Sequence, residues 1–511
     1  MLFNSHIFVF LFLPVALFCF HILRRLKLYN LTICWLIFVS LFFYGWWNPM
    51  YLFLITGSIL FNFSIGHILT KKNLRLILII GILGNLFLLS YYKYANFFTE
   101  NLNLILNKNF ILETIILPLG ISFFTFQQIT YLVDTYNKRV QQHTFLQYFL
   151  FVSFFPQLIA GPIVQYKNMM PQFQNENLIN YDNKNLVIGI TAFIIGLFKK
   201  VVIADSLANF ANPLFSAANH TAEITFFDAW AGSLSYTFQL YFDFSGYADM
   251  ALGLGFMFGI ILPLNFLSPF KVTNIAEFWR RWHMTLSKLV RNYLYFPVSL
   301  NLARFSVYRK FGSLGLYSFK VFIPTIFSFF CVGLWHGAGW NFILFGLLHG
   351  FYLIAYNIWV LIKKNSIMDK KSIFTKIIAW TLTFMCVVFA FVLFRANDTY
   401  SAFNIMTSML GFNGLEFSDM FKIGEFGAEP IIGIIWILIS LFIVLYLPNT
   451  QQFILNESKS IFNKENRTEL KFDKQVIQWK PKIYWSIFFS LMFLISVLMF
   501  SENNEFLYFQ F

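Results

Sequence analysis

Ile377-Ile-Ala-Trp-Thr-Leu-Thr-Phe-Met-Cys-Val-Val-Phe-Ala-Phe-Val-Leu-Phe394 runs for 18 residues without a charged side chain, and Lys376 and Arg395 close it at either end. Wound as a helix, such a stretch reaches about 27 Å, close to the ~30 Å of a bilayer's hydrocarbon core. Comparable runs recur along the whole chain. Candidate spans are Ile7–Leu23, Leu31–Trp47, Tyr51–Leu69, Arg75–Tyr92, Leu112–Val133, Phe145–Pro162 and Leu186–Ala204. They continue with Phe226–Leu240, Tyr247–Leu262, Val321–Trp335, Trp340–Ile362, Ile377–Phe394, Ile431–Leu447 and Tyr484–Phe500. The 511 residues are 58% hydrophobic and only 12% charged, about half the charge of an ordinary soluble domain. That surplus of apolar surface has to face lipid. The reading is an all-α polytopic membrane protein with about 11–14 transmembrane or re-entrant helices, forming one domain over residues 1–511.

The charge balance supports topology rather than nucleic-acid binding. The net charge of +14 is carried mainly in short loops between apolar runs, where the positive-inside rule places basic residues. Nucleic acid is therefore excluded as a partner, and membrane lipids are implied. Arg24, Arg25 and Lys27 follow the first apolar run while no lysine or arginine precedes Ile7. This reverses the charge order of a cleaved signal, so the first helix is expected to stay, with its N-terminus outside. The Arg24–Lys27 loop, Lys71–Lys72, Lys138–Arg139, Lys363–Lys364 and the seven basic residues of Lys459–Lys482 then share the inner side. The segment Ala396–Glu429, with five acidic residues against Lys422, falls outside, as does Asn503–Phe511. Cys19, Cys34, Cys331 and Cys386 lie in apolar runs without metal or disulfide spacing and read as core residues. There is no internal repeat and no inverted pair of short spans, which argues against a transporter.

Pro162, Pro213, Pro263, Pro269 and Pro297 interrupt the apolar pattern in the middle of the chain. Broken backbone at membrane depth survives only inside protein or along a watery cavity, so the site is sought there. Two blocks carry ionisable groups at that depth. The first is Glu277-Phe-Trp-Arg-Arg-Trp-His-Met-Thr-Leu-Ser287, followed by Lys288 and Arg291. Helical spacing places Trp279, Arg280, His283 and Ser287 on one side, which also fits an interfacial amphipathic helix. Arg280, Arg281 and Arg291 suit an anionic ligand, since guanidinium pairs with phosphate through two hydrogen bonds. The second is Cys331-Val-Gly-Leu-Trp-His-Gly-Ala-Gly-Trp-Asn341, in which His336 stands among Trp335 and glycines. A packed, carbonyl-bonded histidine is the plain reading of His336. His349 falls on roughly the opposite face of an unbroken helix and is the weaker candidate. Asp243 and Asp249 need partners, for which Arg280 or Lys199 is available, and Phe155–Pro162 reads as a broken or re-entrant helix. His6, His21, His67, His143 and His220 lack polar company in the sequence and receive no role. No metal motif is present. Acyl transfer needs a base for the acceptor hydroxyl, a donor for the thioester carbonyl and a positive mouth for the acyl carrier. His283, His336 and the arginines are sufficient for it.

The blocks Glu277–Pro297, Leu334–Trp340 and Tyr241–Gly255 resemble the membrane-bound O-acyltransferase (MBOAT) family, in its bacterial alginate and peptidoglycan O-acetyltransferase branch. Phe155–Pro162, Gly196–Val201, Met1–Pro14 and Phe506–Phe511 extend the resemblance over nearly the whole chain, with a signature core at about 145–350 and C-terminal helices at about 376–511. The resemblance implies a helical bundle around a central tunnel. It also implies His336 as the catalytic histidine and His283 at the second signature position, which is histidine or asparagine in different branches. Cytosolic acetyl-CoA is the implied acyl-donor substrate, with no bound cofactor. An extracytoplasmic, serine-esterase-like acetyltransferase partner and a cell-envelope polysaccharide acceptor (peptidoglycan, alginate or another exopolysaccharide) are implied with it. Residence in the bacterial inner membrane follows. Arg280, Arg281 and Lys199 are the candidate coenzyme A contacts. One departure is that Val298-Ser-Leu-Asn-Leu302 replaces the Gly-Gly-Asn turn that often follows Pro297 in the family. Direct transfer and an acyl-histidine both remain open on these residues. The competing reading is a polysaccharide or lipid-carrier transporter without acyl-transfer chemistry, which would tolerate loss of His336.

Overall fold

The computed structural model describes residues 1–113, 115–140, 143–174, 178, 183–219, 224–363, 372–415, 430–458, 479–500 and 506–507. His220, most of the acidic outer segment, most of the Lys459–Lys482 stretch and most of Asn503–Phe511 lie outside these residues. Every regular element among the described residues is helical. Seven helices are long and apolar enough to cross a membrane: Phe8–Arg25, Tyr51–Lys71, Arg75–Leu106, Asn183–Asn219, Ser313–His336, Trp340–Lys363 and Ile373–Arg395. Tyr29–Gly45, Ile431–Tyr446 and Ile483–Leu498 are shorter apolar helices. The chain is a multi-pass membrane protein.

Several expected boundaries move. Phe226–Leu240 and Tyr247–Leu262 are not two spans, because Phe226–Met257 is one continuous helix of 32 residues. The Tyr241–Asp249 stretch stays helical although Ala248 is its one strong helix former, and its carboxylates are buried rather than turned out. Pro213 does not interrupt its helix either and sits inside Asp205–Asn219. The fifth span starts only at Ile121, after Pro118. Phe145–Pro162 is not one span, since its first helix ends at Ser153; Phe155–Pro162 is broken as read, with a single turn at Phe155–Leu158. The departure at Val298 forms no turn, since helix Phe296–Tyr308 runs through it.

The described chain forms two compact units. Met1–Val201, Ser245–Leu264 and Thr450–Gln510 make the first; Val202–Phe244 and Asn265–Asn449 make most of the second. In the first, Phe3, Phe8, Phe43 and Phe155 interlock, with ring centroids 5.0–6.4 Å apart. Lipid offers helices no hydrophobic incentive to associate, so close backbone packing and polar bonds hold them. Both are present here. Helix Asn183–Phe198 lies backbone to backbone against the end of Phe226–Met257. A Cβ at Gly196 would stand 2.5 Å from the Gly246 carbonyl oxygen, and one at Gly189 would stand 2.6 Å from that of Gly253. The seven-residue spacing on both helices is two turns, which keeps each pair of glycines on one face. Farther along, Asn62 and Asn85 exchange amide hydrogen bonds at 3.1 and 2.6 Å, joining Tyr51–Lys71 to Arg75–Leu106.

The second unit contains the antiparallel pair Ser313–His336 and Trp340–Lys363, with helix Ile373–Arg395 beside it. Asn341 ties the turn to that third helix, its Nδ2 donating to the carbonyl of Ala396 at 2.7 Å. Trp380 donates its indole N–H to the Phe270 carbonyl at 2.7 Å.

Candidate active site

Asn274 stands just before the first block, its Oδ1 accepting the Glu277 N–H at 2.9 Å as an N-cap. The helix it starts is only Ile275–Arg281. Trp282 is extended, and His283 adopts the left-handed conformation at φ 42°, ψ 54° before Met284–Val290 begins. The single amphipathic helix expected over Trp279–Ser287 is therefore an elbow, and the four residues share no continuous face. A left-handed residue with a Cβ costs roughly 1–2 kcal/mol, so the surroundings must hold it. They do so through the helix-free run around Asn265. The Met284 N–H donates to the Asn265 carbonyl at 2.9 Å, and the Leu267 N–H donates to the Arg281 carbonyl at 3.0 Å. Phe244 lies edge-on to the His283 ring at 4.8 Å.

The side chain of Asn265 completes the clamp. Its Oδ1 accepts from Thr285 Oγ1 at 2.8 Å and from the Thr285 backbone N–H at 3.4 Å. A backbone N–H can only donate, which identifies that atom as the amide oxygen. His283 Nδ1, 3.0 Å from the same oxygen, must then carry the proton. In the neutral ring Nε2 is left with the lone pair. Burial holds the His283 imidazole well below its ordinary pKa, because desolvation penalises the charged form. His283 is thus a neutral ring with a defined tautomer, 1% exposed.

His336 ends helix Ser313–His336, and Gly337 continues in extended backbone. The residue is 7% exposed. It packs edge-on against Phe394 at 4.9 Å and Phe345 at 5.6 Å. Trp335 joins the two signature residues, its ring centroid 4.8 Å from that of His336 and 5.8 Å from that of His283. Residues far apart in sequence thus flank one indole. His349 does not sit on a remote face. The chain breaks at Gly337–Gly339, so Phe345 contacts both His336 and His349. His349 is fully buried, and its Nδ1 accepts the Trp279 indole N–H at 3.2 Å.

The cations separate. Arg280 is 73% exposed, 3.3 Å from Glu277, whereas Arg281 Nε lies 3.0 Å from Glu277 Oε1 and is largely covered. Lys199 belongs to the first unit and pairs with Asp249 at 2.6 Å, one of the partners the sequence allowed for that carboxylate. Thr450 Oγ1 and Gln451 Nε2 also bond Asp249, at 2.6 and 2.5 Å. His143, which the sequence left without polar company, meets the Tyr131 hydroxyl at 3.2 Å. Sequence reasoning missed Asn265. Its only signal is an amide in the otherwise apolar run Leu262–Leu267.

Comparison with known proteins gives this geometry a lineage. The chain is 44% identical over 455 residues to the peptidoglycan O-acetyltransferase of Helicobacter pylori, covering 83% of this chain and 82% of that protein. It is 33% identical to the "Probable alginate O-acetylase" of Pseudomonas putida over the full length of both. A more distant relative is the teichoic acid D-alanyltransferase of Streptococcus thermophilus, 27% identical over 55% of this chain and 69% of that one. The family model described as MBOAT, membrane-bound O-acyltransferase, matches residues 55–395, a stretch that contains both Trp-His blocks and Asn265. The chain belongs to the membrane-bound O-acyltransferase family and is an acyltransferase.

Proposed function

We propose that this protein takes acetyl from cytosolic acetyl-CoA and passes it across the membrane to a cell-envelope polysaccharide hydroxyl, directly or through an extracytoplasmic, serine-esterase-like acetyltransferase. The observation that carries the reading is the pairing of His283 and His336 on one buried indole, Trp335. Relatives whose names specify peptidoglycan and alginate O-acetylation support the acceptor class. The protein would sit in the bacterial inner membrane with its N-terminus outside.

His336 acts as general base in this reading. It takes the acceptor hydroxyl proton as the oxygen attacks the thioester carbonyl. The C–S bond then breaks, and the imidazolium returns the proton to the departing thiolate. His283, with its proton committed to Asn265, accepts rather than donates at Nε2, so it positions the reacting groups. Arg280 is the proposed phosphate contact for coenzyme A because its guanidinium faces outward. Arg281 and Lys199 are each engaged by a carboxylate, Glu277 and Asp249 respectively, which leaves Arg280 the better placed of the three for that contact.

Acetyl transfer in membranes containing His336→Ala tests the reading, with insertion and donor binding measured alongside. Transfer is expected to fall by at least about 100-fold. Undiminished turnover by an inserted, donor-binding variant removes the assignment of His336.

A further inference from the structure

The proposed reaction asks for a hydrogen-bond donor at the acyl carbonyl oxygen, and neutral His283 cannot supply it from Nε2. We propose that Asn265 is a further catalytic residue, whose Nδ2–H donates to the acyl carbonyl as negative charge develops there. The assignment rests on the acyl-transfer reading and deepens it.

Three observations converge on this atom. Asn265 is 2% exposed, and its Oδ1 is occupied by His283 Nδ1, Thr285 Oγ1 and the Thr285 N–H. These bonds fix the amide's orientation and turn Nδ2 away from Thr285. Nδ2 is buried and meets no hydrogen-bond acceptor among the described residues. Buried amide N–H groups almost always find an acceptor, so one left over beside a signature histidine marks a place for a substrate oxygen. The residue is also anchored at its backbone, its carbonyl receiving the Met284 N–H. A donor held this rigidly needs no reorganisation when charge appears, which is what makes such groups effective. One side chain then does two things: Oδ1 sets the tautomer of His283, and Nδ2 receives the acyl oxygen beside it.

Asn265→Asp separates the two. The carboxylate keeps an acceptor for His283 and Thr285 at nearly unchanged volume but removes the N–H donors. In membranes carrying the full chain, with acetyl-CoA as probe, Asn265→Asp is expected to lower kcat about 100-fold while KM for acetyl-CoA stays within about threefold. The acid limb of its pH–rate profile should rise, because a carboxylate beside His283 favours the imidazolium. If Asn265 only positions His283, Asn265→Asp will retain kcat within about threefold, and the proposal is overturned. Should Asn265→Asp fail to insert, Thr285→Val decides. It keeps the amide and removes one bond to Oδ1, and is expected to cost less than about fivefold in kcat, one lost neutral hydrogen bond. A Thr285→Val loss near 100-fold would mean that positioning is the whole role and overturns the donor assignment. Wild-type membranes that leave acetyl-CoA intact would instead overturn the underlying reading, and that control is read first.

Discussion

Trp279 and His349, 70 positions apart, are joined by one hydrogen bond, the indole N–H donating to Nδ1 at 3.2 Å. Trp279 lies four residues before His283, in the helix that leads to it, so the bond anchors the approach to the elbow. In the neutral ring that accepts at Nδ1, the proton sits on Nε2, the tautomer opposite to that of His283.

Replacing His349 by Phe keeps an aromatic ring among Phe278, Phe345 and Trp279 but leaves the indole N–H without its acceptor. A loss of about 1–3 kcal/mol is expected, read as a lower unfolding temperature of the solubilised protein. His349→Asn, which restores an oxygen near Nδ1, should recover much of it. Trp279→Phe combined with His349→Phe should cost little more than His349→Phe alone. Additive losses would show that the two side chains act independently.

The left-handed backbone at His283 predicts a tolerance series. Asn adopts this conformation more readily than other side chains with a Cβ, whereas β-branched residues resist it. His283→Asn should therefore fold with an unfolding temperature close to that of the wild type, while His283→Val should be destabilised by more than about 1 kcal/mol. Equal stability of the two variants would refute the backbone argument.

His283 also makes stability depend on pH. Its folded pKa is depressed by burial, so below the ordinary histidine value of about 6.5 the unfolded chain binds a proton that the folded one refuses. The stabilisation is complete above that value and is lost as pH falls through the window below it, by up to about 1.4 kcal/mol per pH unit. Unfolding curves between pH 7 and pH 5 should show the decline, and His283→Asn should make it shallower.

Lys199 and Asp249 are both largely buried, at 13% and 2% side-chain exposure. Removing one partner strands the other, so Asp249→Leu should destabilise by about 3–5 kcal/mol. Adding Lys199→Met should recover most of that loss, because the desolvation penalty disappears with the second charge. Thermal unfolding in detergent measures both. A double variant as weak as the single one would show that Thr450 and Gln451 matter more than the ion pair.

Much of this was legible in the residues, for identifiable reasons. The membrane class follows from uncharged runs such as Ile377–Phe394, because a bilayer imposes a length and a polarity that composition alone must satisfy. The break within Phe155–Pro162 was readable too, from the two prolines that bound it, and only the single turn Phe155–Leu158 is helical there. The continuity of Phe226–Met257 was not readable. Whether polar residues inside a helix end it depends on the partners that receive them. Asp249 is received by Lys199, Thr450 and Gln451, which are remote in sequence.

What the sequence by itself determined is therefore the solvent this chain lives in and the approximate places where it turns. Only tertiary structure decided that helical spacing fails at Trp282–His283, that Trp335 lies against both imidazoles, and that Asn265 chooses the proton's position on one of them. Periodicity reports a single helix's exposure to its surroundings. A tautomer is set by an atom three angstroms away, and that neighbour is brought there by folding.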